Sequence, residues 1–450
     1  MDGLCRPPQG SRSYNSGMVI LVLGGGITGL LAAWHLHRKG EAVEVWESAE
    51  QVGGWVQTLP WDHPDGRPGH VEKGPQGILW QPGSPSDRVF SALGIEIESP
   101  VKAKGQGKRW VGKKGRLIEV PSHPVKLMTS PLMSTGTKLR LMLEPFMAVG
   151  PAEPEEGLED FIARRAGRGM VEELLPAMVA GILAAPTRVL SVEALPKLRQ
   201  WESQGSLFAG VRKSGVSHLM VPKGGMGTLS AKLAAALPAV RTSAPGESLE
   251  RMPDGRWKVS GGGEVREVDR LILALPAYAA AELLAAHSPA SADALKAIPY
   301  TNVNLWNSRH APLAPYHQGF GFLIHPPEGH SYLGSLVSSW IEPSCCAVGT
   351  MQLRSFVGDP HLWEVHREER PGWEWVANQI RRWLPQLPEA AETLEQRAHR
   401  AIPRAEKGHR GRVRQAVEAL PQGIEWLSNA RFGPGVRDVM EALEDWAGKR

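Results

Sequence analysis

The chain has 450 residues, with 51 lysines and arginines against 47 acids for a net charge of +4, and it is 42% apolar and 22% charged. That is too apolar for a disordered protein and too balanced for an electrostatic nucleic-acid footprint, so no nucleic-acid partner is expected. It is long enough for two or three domains around a large core. Three cysteines, Cys5, Cys345 and Cys346, cannot build a disulfide framework and fit a reducing, cytoplasmic setting. The 50 glycines and 37 prolines follow no repeat, which excludes collagen and predicts many tight turns and close backbone approaches.

Residues 1–17 lack an apolar run and read as a disordered tail rather than a secretory signal. No stretch reaches the roughly 18 apolar residues of a membrane span. Residues 18–23 (MVILVL) form a short apolar run, the pattern of a strand buried on both faces of a parallel sheet. A glycine turn, a helix from Leu30 to Arg38 and a second strand at Val43–Glu47 follow, completing one β–α–β unit. Residues 62–70 read as loop. From about 85 to 205 the chain looks mostly helical, with loops at 102–116 and 151–157. Residues 211–295 return to mixed α/β character, with a hairpin around 257–268 and a buried strand at 271–276. Residues 299–356 read as β structure, 361–395 as helical, and a closing helix starts near 434.

Gly24-x-Gly26-x-x-Gly29 sits between the first strand and its helix. The first glycine permits the tight turn, the second lets backbone approach a pyrophosphate, and the third lets helix and strand pack closely. The helix N-terminus, with Ile27 and Thr28 in its first turn, then offers free N–H groups to phosphate. Glu47 ends the second strand, where a carboxylate accepts ribose hydroxyls and repels a 2′-phosphate. Together these features predict a dinucleotide site. A single GxGxxG leaves no second site for a nicotinamide cofactor, which favours a flavin oxidase.

After Glu47 and Ser48, the run Gly53-Gly54-Trp55 resembles the flavin oxidases, in which this segment runs over the pyrophosphate. His70-Val71-Glu72-Lys73-Gly74-Pro75 resembles the segment beside the isoalloxazine ring. With VLGGGITGLLAAWHL (22–36), GILAAPTRVLSVEALPKL (181–198), QGFGFLIHP (318–326), AIPRAEKGH (401–409) and SNARFGPGVRDVM (428–440), the chain resembles the protoporphyrinogen oxidase family of the flavin amine-oxidase superfamily over about residues 18–445. The resemblance implies an α/β fold with a Rossmann-like FAD-binding domain of the amine-oxidase/PHBH type. It also implies a mixed α+β substrate domain and a helical membrane-associating domain. These are expected at 18–95, 211–295 and 396–450 for FAD, 96–210 for the mainly helical domain, and 296–395 for substrate. The implied reaction is a six-electron oxidation of a porphyrinogen in haem biosynthesis, with O2 as acceptor and H2O2 as product. Ferrochelatase or another haem-pathway enzyme is an implied partner, along with a homodimer and a peripheral membrane surface, for which 123–148 is the candidate segment.

Within that resemblance, the flavin does the chemistry and no catalytic side chain or metal is expected. Gly74 and Pro75 would lie by the flavin ring, and Ser428, Asn429, Gly435, Val436 and Arg437 at its pyrimidine end. Gly181, Ile182, Phe320, Phe322 and Leu323 would face a flat macrocycle, with Lys102 pairing a propionate and Lys104, Lys108 and Arg109 close by. No cysteine lies near 428–440, so the FAD is expected to be non-covalent. The chain departs from the family pattern at Pro434, which removes an N–H donor, and at Ala405, where the family has tyrosine. Coproporphyrinogen III oxidation, a flavin amine oxidase or desaturase, and a non-catalytic flavoprotein are the competing readings. Cys345 and Cys346 lack metal-ligand spacing and read as core thiols.

Overall fold

The computed structural model describes residues 19–98, 107–121, 124–150, 156–214, 218–326, 331–359, 361–363 and 372–450. The expected N-terminal tail and Lys102 and Lys104 lie outside them. A five-stranded parallel sheet carries the strands Val240–Arg241, Ala42–Trp46, Val19–Leu23, Arg270–Leu273 and Ile424–Trp426 in that spatial order. Its first strand is apolar at every position because both faces are covered. Ile20 and Val22 pack with Leu30, Leu31 and Ala33 of the helix Ile27–Arg38. Leu21 and Leu23 point the other way, to Trp257, Val259 and Val268. Those three belong to an antiparallel sheet of Ser248–Arg251, Trp257–Gly261 and Glu264–Val268, which contains the expected hairpin.

A second, seven-stranded sheet has the order Glu392–Pro403, Tyr300–His310, Met351–Gly358, Tyr332–Val337, Gly319–Ile324, Lys108–Lys113, Arg116–Glu119. Two sequence expectations are corrected here. The expected loop at 102–116 contains the strand Lys108–Lys113, which runs parallel to Gly319–Ile324. Its lysines and glycines hide it from pattern reading, and its ladder comes from a strand two hundred residues away. The expected helix over 361–395 is confined, among the described residues, to Trp373–Trp383. From Glu392 the chain is a twelve-residue strand instead. Its Glu, Gln, Arg and Ala content favours helix, but pairing with Tyr300–His310 overrides that preference. Residues 360 and 364–371 lie outside the described residues.

The helical part packs on an apolar cluster of Leu158, Phe161, Ile162, Leu175 and Leu183, beside which Arg165 and Glu144 form a buried ion pair. Arg165 is 0% exposed, and its Nε donates to Glu144 Oε1 at 3.0 Å. Its remaining donors reach the Met147 and Ala148 carbonyls at 2.8 and 3.0 Å. Leu207 N donates to Glu144 Oε1 at 2.8 Å, tying the helix Leu207–Ser214 to the same carboxylate. Outside this pair, Leu139, Met142 and Phe146 are exposed. Among the described residues, no helix is long and apolar enough to cross a membrane.

Candidate active site

The glycine loop takes the shape its spacing predicts. Gly24 sits at φ 107°, and a Cβ there would meet the Ala274 carbonyl oxygen at 2.4 Å. A Cβ on Gly29 would lie 1.9 Å from the Gly24 carbonyl oxygen, so only glycine lets the helix seat on the strand. Gly26 is different. It is the N-cap of Ile27–Arg38, no side chain caps that helix, and nothing lies within 4 Å of where its Cβ would be. The start of this helix therefore has open space beside Gly26 and no side chain capping it. An uncapped helix start beside open space can receive an anionic group.

The neighbouring segments frame that helix start. Gly53 N donates to the Gly25 carbonyl at 2.7 Å, and Gly26 and Gly53 form a parallel bridge. Gly54, at φ 61°, then passes with its Cβ position 3.4 Å from Gly26 Cα. Glu47 stands at the carboxyl end of Ala42–Trp46. Its Oε2 accepts from Gly25 N at 2.7 Å, and its Oε1 from Ala49 N at 2.9 Å and Ser48 Oγ at 3.3 Å. These bonds fix the carboxylate beside the loop.

The closing helix Val436–Gly448 packs on Ile27–Arg38. His35 lies near Glu444, and Lys39 Nζ donates to the Ala447 carbonyl. Each partner sits about the same number of residues into its helix, so the two run parallel with their N-termini at one end. Gly435 N-caps the second helix, with its N–H donated to Asp438 Oδ2 at 3.1 Å. Ser428 Oγ accepts from Ala430 N at 3.3 Å, starting the short helix Asn429–Phe432. Val436 and Arg437 form the first turn, and Arg437 Nε is bonded to Glu441 Oε1 at 2.6 Å. Two helix N-termini thus converge at the carboxyl ends of the parallel strands, where such sheets bind ligands.

The segment 70–76 joins this end of the molecule to the seven-stranded sheet. A Cβ on Gly74 would strike the Trp55 carbonyl oxygen at 2.4 Å, so Gly74-Pro75 and Trp55 run in close contact. Arg354, from Met351–Gly358, is fully buried and donates to the Gly74 carbonyl at 2.8 Å. Burial lowers its pKa to about 10, and the Glu72 carboxylate opposes that shift. Burial, with Glu342 nearby, raises the Glu72 carboxyl to about 7. Sequence reasoning missed Arg354, because a lone arginine inside a strand carries no local signal.

The residues expected around a macrocycle divide between two faces. Leu323 pairs with Gly334, which pairs with Phe356 and so with Leu305. This face meets the helix Leu175–Leu183, where a Cβ on Gly181 would lie 2.4 Å from Leu323 Cδ2. It also carries an apolar cluster of Ala180, Ala184, Val303, Leu305 and Leu333, against which Trp55 packs. Ile182 is 59% exposed at the end of that helix. Phe322 pairs with Ser335 and belongs to the reverse face, buried with Tyr332, Val376 and Trp383. Phe320 is in that core too, and the Arg109 guanidinium stacks 4.3 Å over its ring. The two-residue period of a strand accounts for the split. Arg109 has no acidic partner among the described residues and is solvent-exposed.

The model of the flavin containing amine oxidoreductase family matches residues 27–409. The chain is 29% identical to the human protoporphyrinogen oxidase over 359 residues, covering 72% of this chain and 73% of that one. It is 24% identical to the coproporphyrinogen III oxidase of Bacillus subtilis over 467 aligned positions, covering 94% and 95%. Its fold is similar to that of a protein from Exiguobacterium sp. 255-15 assigned as a protoporphyrinogen oxidase, with a TM-score of 0.77 at 19% identity, covering 97% of this chain and 99% of that one.

Proposed function

As the chain belongs to the flavin-containing amine oxidoreductase family and is an FAD-dependent oxidoreductase, we propose that it oxidises protoporphyrinogen IX to protoporphyrin IX with O2 as acceptor. Bound FAD supplies the hydride acceptor. The chain's own part is to bind and orient. The uncapped helix start at Gly26–Thr28 and the helix start at Gly435 hold the anionic and electron-rich ends of FAD, and Glu47 holds its ribose. Gly74-Pro75, fixed by Arg354 and Trp55, lines the flavin ring. The observation that carries the substrate reading is the apolar sheet face of Leu305, Leu323, Leu333 and Phe356, which runs up to Trp55. A flat apolar macrocycle calls for an apolar wall of this kind and a few charges for its carboxylates. Arg109 takes the propionate role expected of Lys102, since guanidinium matches carboxylate bidentately.

Coproporphyrinogen III is the second reading. It is favoured by the match to the Bacillus subtilis enzyme over nearly the whole of both chains. Anaerobic stopped-flow mixing with each porphyrinogen tests both. Flavin bleaching by one substrate selects it, and bleaching by neither overturns the porphyrinogen assignment. Arg109→Ala should raise KM with little change in kcat, and an unchanged KM would remove Arg109 from the site.

A further inference from the structure

We propose that His70, Glu72 and Glu342 bind one divalent transition-metal ion. His70 and Glu72 lie two residues apart on the strand His70–Glu72, so their side chains share a face. Glu342 follows the helix Ser338–Ile341, which packs in the core with Phe320 and Phe322. His70 Nε2 lies 2.7 Å from Glu342 Oε1. One ligand atom from each of the three residues lies within 4.8 Å of the others. One imidazole nitrogen and two carboxylate oxygens suit zinc or manganese. Bonds of about 2.0–2.2 Å to one ion place ligand atoms roughly 3.4 Å apart, so His70 Nε2 and Glu342 Oε1 would open from their 2.7 Å contact to admit it.

A second observation points to a ligand. Glu342 is 0% exposed, and its Oε2 has no hydrogen-bond partner. A buried carboxylate oxygen left without a partner is costly, and a cation at this point satisfies it. The outer shell is already built. Thr58 Oγ1 donates to Glu72 at 3.0 and 3.1 Å, and Met226 N at 2.9 Å, fixing that carboxylate. Gln352 Nε2 holds the His70 carbonyl at 3.0 Å. The His70 side chain keeps 16% of its surface exposed, which provides access for an ion. Bound there, the ion would tie the strand leading to Gly74 to the segment carrying Glu342. Neither the spacing in sequence nor the proposed oxidation requires it.

The test uses the flavin-loaded full chain, stripped with chelator and titrated calorimetrically with ZnCl2 and, separately, MnCl2. One saturable equivalent of either ion is expected, with affinity falling at least ~10-fold in Glu342→Gln and in His70→Gln. His37→Gln, an exposed histidine, should bind as the wild type does. The flavin spectrum and a thermal melt establish that each variant is folded. Absence of saturable binding to the folded wild type, or wild-type affinity in folded Glu342→Gln, overturns the proposal. Because binding is read calorimetrically, failure here leaves the porphyrinogen assignment untouched.

Discussion

Gly26 and Gly29 belong to one motif, yet the structure gives them separable jobs. Gly26 has φ −67° and ψ 171°, which alanine adopts freely, and its Cβ would enter empty space. Gly26→Ala should therefore cost the apoprotein at most about 1 kcal/mol, the weaker N-cap preference of alanine. The same methyl points into the space where first-turn amides meet phosphate. Losing one charge-assisted hydrogen bond costs about 1.5–3 kcal/mol, or ~10- to 150-fold in FAD affinity. Gly29→Ala reverses the pattern. Its Cβ would lie 1.9 Å from the Gly24 carbonyl oxygen and 3.0 Å from Ala274 Cβ. Overpacking of that kind costs about 1–3 kcal/mol, offset in part by the ~1 kcal/mol better helix propensity of alanine. Apoprotein of each variant is to be melted in urea and titrated with FAD by fluorescence quenching. If Gly26→Ala binds FAD as tightly as the wild type, the pyrophosphate does not sit at this helix end and the phosphate site is misassigned.

Three further outcomes are expected. Glu47→Gln puts an amide N–H2 against the Gly25 or Ala49 N–H and removes the charged ribose acceptor; flavin lost on dialysis should rise, with FAD affinity down by about 1.5–3 kcal/mol, and unchanged occupancy would count against the role. Arg165→Met strands Glu144 in the core and should destabilise by about 3–5 kcal/mol, whereas the double variant with Glu144→Gln should recover much of that; an additive cycle would show the two residues to be uncoupled. His409 is held neutral, because burial lowers its pKa below the ordinary 6.5 even though its ring faces the Ala430 carbonyl at 2.8 Å. Protonation then favours the unfolded chain, so its contribution is intact above ~6.5 and erodes as pH falls below that. Urea melts between pH 5 and 8 should show a shallower acid-side loss in His409→Gln, and matching slopes would exclude this histidine as a source.

The nucleotide half of the site was legible because its chemistry is local. A strand, three glycines, a helix and an acid all fall within residues 19–47, though Gly24 and Gly29 also fit closely against the distant Ala274. The parallel pairing of the first and last helices was invisible, since it depends on packing across four hundred residues. The apolar sheet face proposed for substrate was half legible. GFGFL announces an apolar strand, but only cross-strand pairing tells which side Leu323 shares with Phe356 and which side Phe322 takes. Arg354 and the strand Lys108–Lys113 were hidden for the same reason. Their partners, the Gly74 carbonyl and Gly319–Ile324, come from elsewhere in the chain.

The order of strands also constrains how the chain can be made. In the parallel sheet, Val19–Leu23 needs Arg270–Leu273 at its side, and that strand is in turn flanked by Ile424–Trp426. In the seven-stranded sheet, Tyr300–His310 is bordered by Glu392–Pro403. A nascent chain therefore holds both sheets unfinished, with open edges, until residues 392–426 have left the ribosome. Open edges recruit other chains, and distant pairing is slow to form. Loss of the C-terminal sixty residues would strip an edge strand from each sheet at once. A short truncation there should aggregate rather than survive as a smaller folded protein.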